Sequence, residues 1–235
     1  MSLDHIMVIA HKELREIVTN KALAFSGIFF AAWFSIMTGL GVGEEQVARV
    51  SQLNNSLFYM GALIGLFVGY IYSGQTYLRE KQTGIVETLL CSPVSLRSIW
   101  IGKAIGVAIP STILSLLAAA AITALANRGA AQAMLPSSTV LVHLLLVVPV
   151  FIITAVALMG FAQLMLGMRE NMIVNMAAIM LLFAALAVTR MVVEEAEFVT
   201  WSAVGGLGGA SLALLAITAA LGRFLSRERI IRTIS

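Results

Sequence analysis

The sequence predicts an all-α, polytopic membrane protein, with six transmembrane helices preceded by an amphipathic interfacial helix in a single membrane domain over residues 1–235. Three observations predict it. Hydrophobic residues make up 60% of the chain and charged residues 11%, against roughly 25% charged in soluble domains. Six apolar runs reach the length of about 20 residues that a helix needs to cross hydrocarbon, and none holds an Asp, Glu, Lys or Arg. The charges are also sorted by side, as the loops show.

The elements follow in order. Residues 2–19 place Leu3, Ile6, Met7, Ala10, Leu14, Ile17 and Val18 on one helical face opposite Asp4, His11, Lys12 and Arg15, the pattern of a helix lying on the inner membrane surface. The spans are then 22–41, 56–77, 104–126, 139–166, 172–189 and 201–222. The first run starts some 20 residues in and is too long for a signal core, so it is expected to serve as the insertion signal itself. In the second, Gly61, Gly65, Gly69 and Ser73 form a stripe of small residues along which backbones can approach closely. Gly205 and Gly209 repeat the device in the last span. Pro149 predicts a bend in the long fourth run. The connections are too short for a folded domain; even the longest inner one falls below the 50 or so residues that an independent core requires.

An even number of spans puts both termini on one side. Lys12, Arg15, Lys21, Arg79, Lys81, Arg97, Lys103, Arg169, Arg223, Arg227, Arg229 and Arg232 collect there, leaving Arg49, Arg128 and Arg190 of the 15 basic residues for the other. The opposite loops carry Glu44, Glu45, Glu194, Glu195 and Glu197. Basic loops are retained in the cytoplasm, so both termini are expected there, in a multi-pass protein of the cell membrane. The net charge of +3 then reflects topology and contact with anionic lipid, and no nucleic-acid partner is expected.

Several chemistries are excluded. The Gly102-Lys103 pair is followed by Ala104 and has Arg97 where a phosphate-binding loop needs its first glycine, so the chain is not expected to be an ATPase. Ion-coupled carriers place charges inside the membrane, which these runs lack. Gly209-Ala210-Ser211 resembles an intramembrane serine motif, but no histidine follows it. Cys91 stands without a partner and without a neighbouring histidine, and is read as structural. Met172, Met176 and Met180, with Met165 and Met168, form a thioether stripe of the kind that binds Cu(I); without an accompanying cysteine or histidine it is read as flexible packing, and no metal site is expected.

The chemistry therefore concentrates in residues 78–103, the one sizeable polar stretch in the interior of the chain. Ile85, Val86, Leu89 and Leu90 can form one apolar face while Glu80, Lys81 and Glu87 remain solvated; Gly84 permits a tight turn and Pro93 forces an exit. A short helix so bounded can seat in a partner's groove. With the HKELREIVTNK segment before the first span, six spans, and the run Glu80, Gly84, Glu87, Leu89, Leu90 and Pro93 followed by Lys103, the whole chain resembles the permease subunits of the ABC-2 type ATP-binding-cassette transporters. That resemblance implies a type-2 exporter-like fold and a coupling helix that contacts the ATPase through Glu80, Lys81, Gly84, Ile85, Glu87, Leu89, Leu90 and Pro93. It implies a cytosolic nucleotide-binding ATPase subunit as partner, a second permease copy or homologue, and no cofactor in this chain, ATP and Mg belonging to the partner. Family members often place a re-entrant hairpin before the sixth span; 190–200 is short for one.

Gln75, Gln163, Asn171 and Asn175 toward the inner side, and His143 toward the outer, are candidates for lining a translocation path, or else for bonding neighbouring helices. Two other functions fit the composition: a six-span substrate-binding subunit of an importer, and a membrane scaffold or biogenesis factor without transport.

Overall fold

The computed structural model describes residues 3–42, 46–85, 91–92, 94–128, 132–167, 170–173, 176–177, 180, 199–226 and 230. The described elements are helical throughout. Helix α1 runs over Leu3–Thr19 and α2 over Lys21–Leu40, with Asn20 between them. The Asn20 side chain accepts a hydrogen bond from the Leu23 amide at 3.2 Å, capping α2 as α1 ends. This makes a corner rather than one continuous rod.

Helix α3 (Gln46–Ser73) continues through a π-helical stretch, Gly74–Arg79, and a last turn, Glu80–Gln82. Gly84 then adopts φ +74°, the left-handed conformation that ends helices and suits glycine. Helix α4 spans Leu96–Ala126, opened by Ser95, whose hydroxyl accepts from the Ser98 amide. A short helical segment, Ser138–Val142, passes through a π-helical turn at His143–Val147 into α5, Val148–Met165. Pro149 has no amide proton and stands in the first turn of α5, directly after this π-helical turn. Helix α6 covers Trp201–Leu221, capped by Thr200.

Five helices among the described residues are long and apolar enough to cross a bilayer: Lys21–Leu40, Arg49–Gln82, Leu96–Ala126, Ser138–Met165 and Trp201–Phe224. The expected fifth span, 172–189, falls mostly outside the described residues, as does most of 190–200. The second and third crossing helices have 34 and 31 residues, about 46 Å or more at 1.5 Å per residue, so both project beyond roughly 30 Å of hydrocarbon.

The core lies where α3, α4 and α5 meet, around Leu53, Leu57, Ile64, Val68, Val107, Ile122, Val148, Ile152 and Val156, all fully buried. The glycine stripe of α3 is what lets these helices close. A Cβ at Gly61 would strike Leu144, one at Gly65 Ile152, and one at Gly69 Val156. The stripe is thus spent on packing within the chain. Gly205 and Gly209 on α6 have nothing within 4 Å among the described residues. Met172, Met176 and Met180 are exposed.

One expectation is corrected here. Helix continues past residue 77, the expected end of the second span, to Gln82, and the third span begins at Leu96 rather than 104, which places Lys103 inside α4 rather than at its opening. Helix α1 buries Ile6, Ala10, Glu13 and Ile17, while Leu3, Met7 and Val18 of the expected face are exposed. The cause is α4, whose Gly102 and Gly106 lie so close beneath α1 that an added Cβ would meet Ile9 and the Ile6 carbonyl at one position, and Glu13 and the Ala10 carbonyl at the other. Helix α1 therefore docks on a span through one stripe and keeps an apolar flank free.

Candidate functional site: the ion-paired ends of the helices

The docking of α1 on Gly102 and Gly106 carries Glu13 to Lys103, 90 residues away in sequence. Lys103 Nζ lies 2.8 Å from Glu13 Oε1 and 2.8 Å from Glu80 Oε2, with all three side chains almost fully buried. Lys12 completes the group from its exposed edge, 3.2 Å from Glu13, 3.5 Å from Glu80 and 3.7 Å from Glu16. Charges of alternating sign thus join α1, the end of the second span and the start of the third. Lys103 also stands 5.8 Å from the centre of the Tyr77 ring. The Glu13, Glu16 and Glu80 oxygens converge within 4.8 Å, and the two lysines act as their counter-ions.

Glu80 and Lys81, expected to be solvated, are 6% and 2% exposed. The physical reason is pairing: a buried charge is tolerated when its partners are built in. Lys81 has a different duty from Glu80. Its ammonium donates to the Leu164 and Leu166 carbonyls and so closes the C-terminal end of α5. Burial alone would lower the pKa of Lys12, but the adjacent Glu13 and the Glu80 and Glu16 carboxylates outweigh it and raise the group above its ordinary 10.5.

A neutral web continues from this cluster. Tyr77 Oη donates to the Trp100 carbonyl at 3.1 Å, and Trp100 Nε1 donates to the Ala157 carbonyl at 2.9 Å. Arg97 Nε donates to the Gly222 carbonyl at 3.1 Å, fastening the start of α4 to the end of α6. Gly160 and Gly222 leave the room that the Tyr77 and Trp100 rings occupy. The C-terminal ends of α3, α5 and α6 and the start of α4, with α1, therefore form one bonded layer.

Of the candidate coupling residues, Glu80, Lys81, Gly84 and Ile85 stand at the end of this layer, with Ile85 47% exposed. Glu87, Leu89, Leu90 and Pro93 fall outside the described residues. Among the candidate path residues, Gln163 accepts from the Ser73 hydroxyl at 3.3 Å, and its carbonyl accepts from Asn171 Nδ2 at 3.1 Å. His143 is buried, its Nε2 3.0 Å from the Phe58 carbonyl. Gln75 is exposed beside a shallow pocket, and Asn175 is outside the described residues. Glu13, Lys12 and Trp100 had no place in the sequence-derived site. For Glu13 a signal was available, a carboxylate at the i+7 position of the Ile6, Ala10, Ile17 stripe.

A helical bundle that crosses the membrane several times, closed on one side by paired charges, defines the class: a multi-pass membrane protein whose polar chemistry sits at the ends of its spans. The family model of the ABC-2 family transporter proteins matches residues 37–205, and the chain belongs to that family. The match begins after α1, so Lys12 and Glu13 lie outside it. No curated protein and no solved structure matches the chain.

Proposed function

We propose that the chain is the permease subunit of an exporter, driven by ATP that a separate cytosolic subunit hydrolyses. Family membership supports the reading, and one geometric observation carries its mechanism. The connection between the second and third spans leaves from Glu80 and returns toward Lys103; those two residues are ion-paired to each other, and Lys103 is also paired to Glu13. Displacement of the connection by a docked ATPase would therefore reach α1, α3 and α4 together.

In this reading Ile85, Leu89 and Leu90 supply the apolar contact with the ATPase, Glu87 the charged one, and Gly84 and Pro93 the ends of the coupling helix. Glu80 and Lys81 act from within, Glu80 by gripping Lys103 and Lys81 by holding the end of α5. Both termini and the connection are cytoplasmic, in the cell membrane, and two permease chains assemble around a shared path. ATP and Mg belong to the partner. Gln75 faces open space and is the member of the path set best placed to meet a substrate, while Gln163, Asn171 and His143 tie helices.

Affinity purification from native membranes tests the reading. Wild type should bring down an ATP-binding subunit that Glu87→Arg and Leu90→Asp lose, with both variants still inserted and monodisperse. Equal recovery by the variants would remove the coupling assignment, and absence of any ATPase from wild type would remove the permease reading.

A further inference from the structure

Four basic residues flank the inner connection: Arg79, Lys81, Arg97 and Lys103. Three are used by the fold. Lys81 caps α5, Arg97 binds the Gly222 carbonyl, and Lys103 sits between two carboxylates. The Arg79 guanidinium has no ion pair or hydrogen bond among the described residues. It is exposed and lines a pocket of about 400 Å³ with Tyr70, Ile71, Gly74, Gln75, Leu78 and Gln82.

Arg79 and Gln82 supply guanidinium and amide donors at the end nearest the connection, Gln75 supplies a second amide one turn further along the helix, and Ile71 and Leu78 supply apolar walls. From Tyr70 to Arg79 the pocket follows the helix for roughly 14 Å, from the level of the charged loop into the bilayer. No carboxylate among the described residues lines it, and Glu80 on the following residue is turned to Lys103. Gly74 leaves the middle open, with nothing among the described residues within 4 Å of the position its Cβ would take. The π-helical register over Gly74–Arg79 widens the turn here, a feature that recurs at functional sites. The volume falls within the roughly 300–1,000 Å³ of small-molecule sites.

We propose that this pocket binds an anionic phosphate headgroup, with Arg79 as the charged anchor, Gln75 and Gln82 as amide donors, and the attached acyl chain lying along Ile71 and Leu78. A guanidinium fork suits a phosphate in two-point contact, and the apolar wall selects an amphiphile of the inner leaflet over a free ion. The assignment of the pocket to the inner side rests on the proposed topology, but the binding itself does not depend on the partner ATPase.

The test uses the purified full-length chain in mixed micelles of phosphatidylglycerol and phosphatidylcholine, with bound lipid counted by native mass spectrometry. Wild type should retain phosphatidylglycerol in preference to phosphatidylcholine. Arg79→Gln should lose about tenfold or more of that preference, the scale of a charged hydrogen bond, whereas Arg79→Lys should keep part of it. Arg15→Gln, a change of equal charge at an exposed residue of α1, should keep all of it. A parallel titration with inorganic phosphate separates the sources: Arg79-dependent phosphate binding without lipid preference would keep the anion site and assign it to a soluble ligand. Equal retention by wild type and Arg79→Gln, equal loss in Arg15→Gln, or no anion held by wild type would overturn the proposal. None of these outcomes alters recovery of an ATPase, so failure here and failure of the permease reading are separable.

Discussion

Lys103 is the residue on which the bonded layer depends, because it is the buried cation between the Glu13 and Glu80 carboxylates. Lys103→Met would leave two like charges buried together, and removal of one partner from such a group costs about 3–5 kcal/mol. We expect a correspondingly lower thermal stability in detergent, with much of the loss recovered when Glu13→Gln and Glu80→Gln are added; wild-type stability of Lys103→Met would contradict the assignment. Lys12 should matter less, since its side chain is 53% exposed and solvent screens such pairs to about 1 kcal/mol or below. Its pKa is raised in the folded state, so the protonated form is the one that folding favours. Its contribution is complete below pH 10.5 and disappears as pH rises through the higher folded value. The small penalty of Lys12→Met should therefore stay constant between about pH 6 and 9, as denaturation at several pH values would show. These pairings were not legible in the sequence. Hydropathy stops a span at the first charge, whereas the helix continues when a partner from elsewhere neutralises that charge, and nothing local in residues 96–103 names Glu13.

Helix α1 owes its position to Gly102 and Gly106 of α4. Gly106→Ala would press a methyl against the Ala10 carbonyl and Glu13, so α1 must shift, at about 1–3 kcal/mol by analogy with other overpacked contacts. Gly209→Ala on α6 meets nothing within 4 Å among the described residues and should be neutral or up to about 1 kcal/mol stabilising through helix propensity. Paired thermal melts check both, and a clear loss for Gly209→Ala would mean that another helix covers that face. The elements were largely legible because the signal for a span is length and apolarity: expected runs at 22–41, 139–166 and 201–222 match helices at Lys21–Leu40, Ser138–Met165 and Trp201–Phe224. The glycine stripe of α3 was also legible as a packing face, though its partner was not. Which part of α1 meets α4 was not legible, because amphipathicity reports which residues avoid water and does not separate lipid from a neighbouring helix. The two π-helical stretches carry no sequence period that distinguishes them from α-helix.

For the whole molecule, composition and the sorting of charge were enough to predict a multi-pass membrane protein, and the family match gives that bundle its place among the ABC-2 transporters. In the proposed function, what joins bundle to transport is the short connection between the second and third spans. It contains Cys91, the single cysteine of the chain, which is exposed. A thiol-directed photo-crosslinker attached to Cys91 in native membranes would therefore report what sits against this connection without any change to the protein. The account predicts capture of an ATP-binding subunit, with the adduct reduced in Leu90→Asp. Efficient labelling of Cys91 that captures no ATPase, or an adduct unchanged by Leu90→Asp, would contradict it.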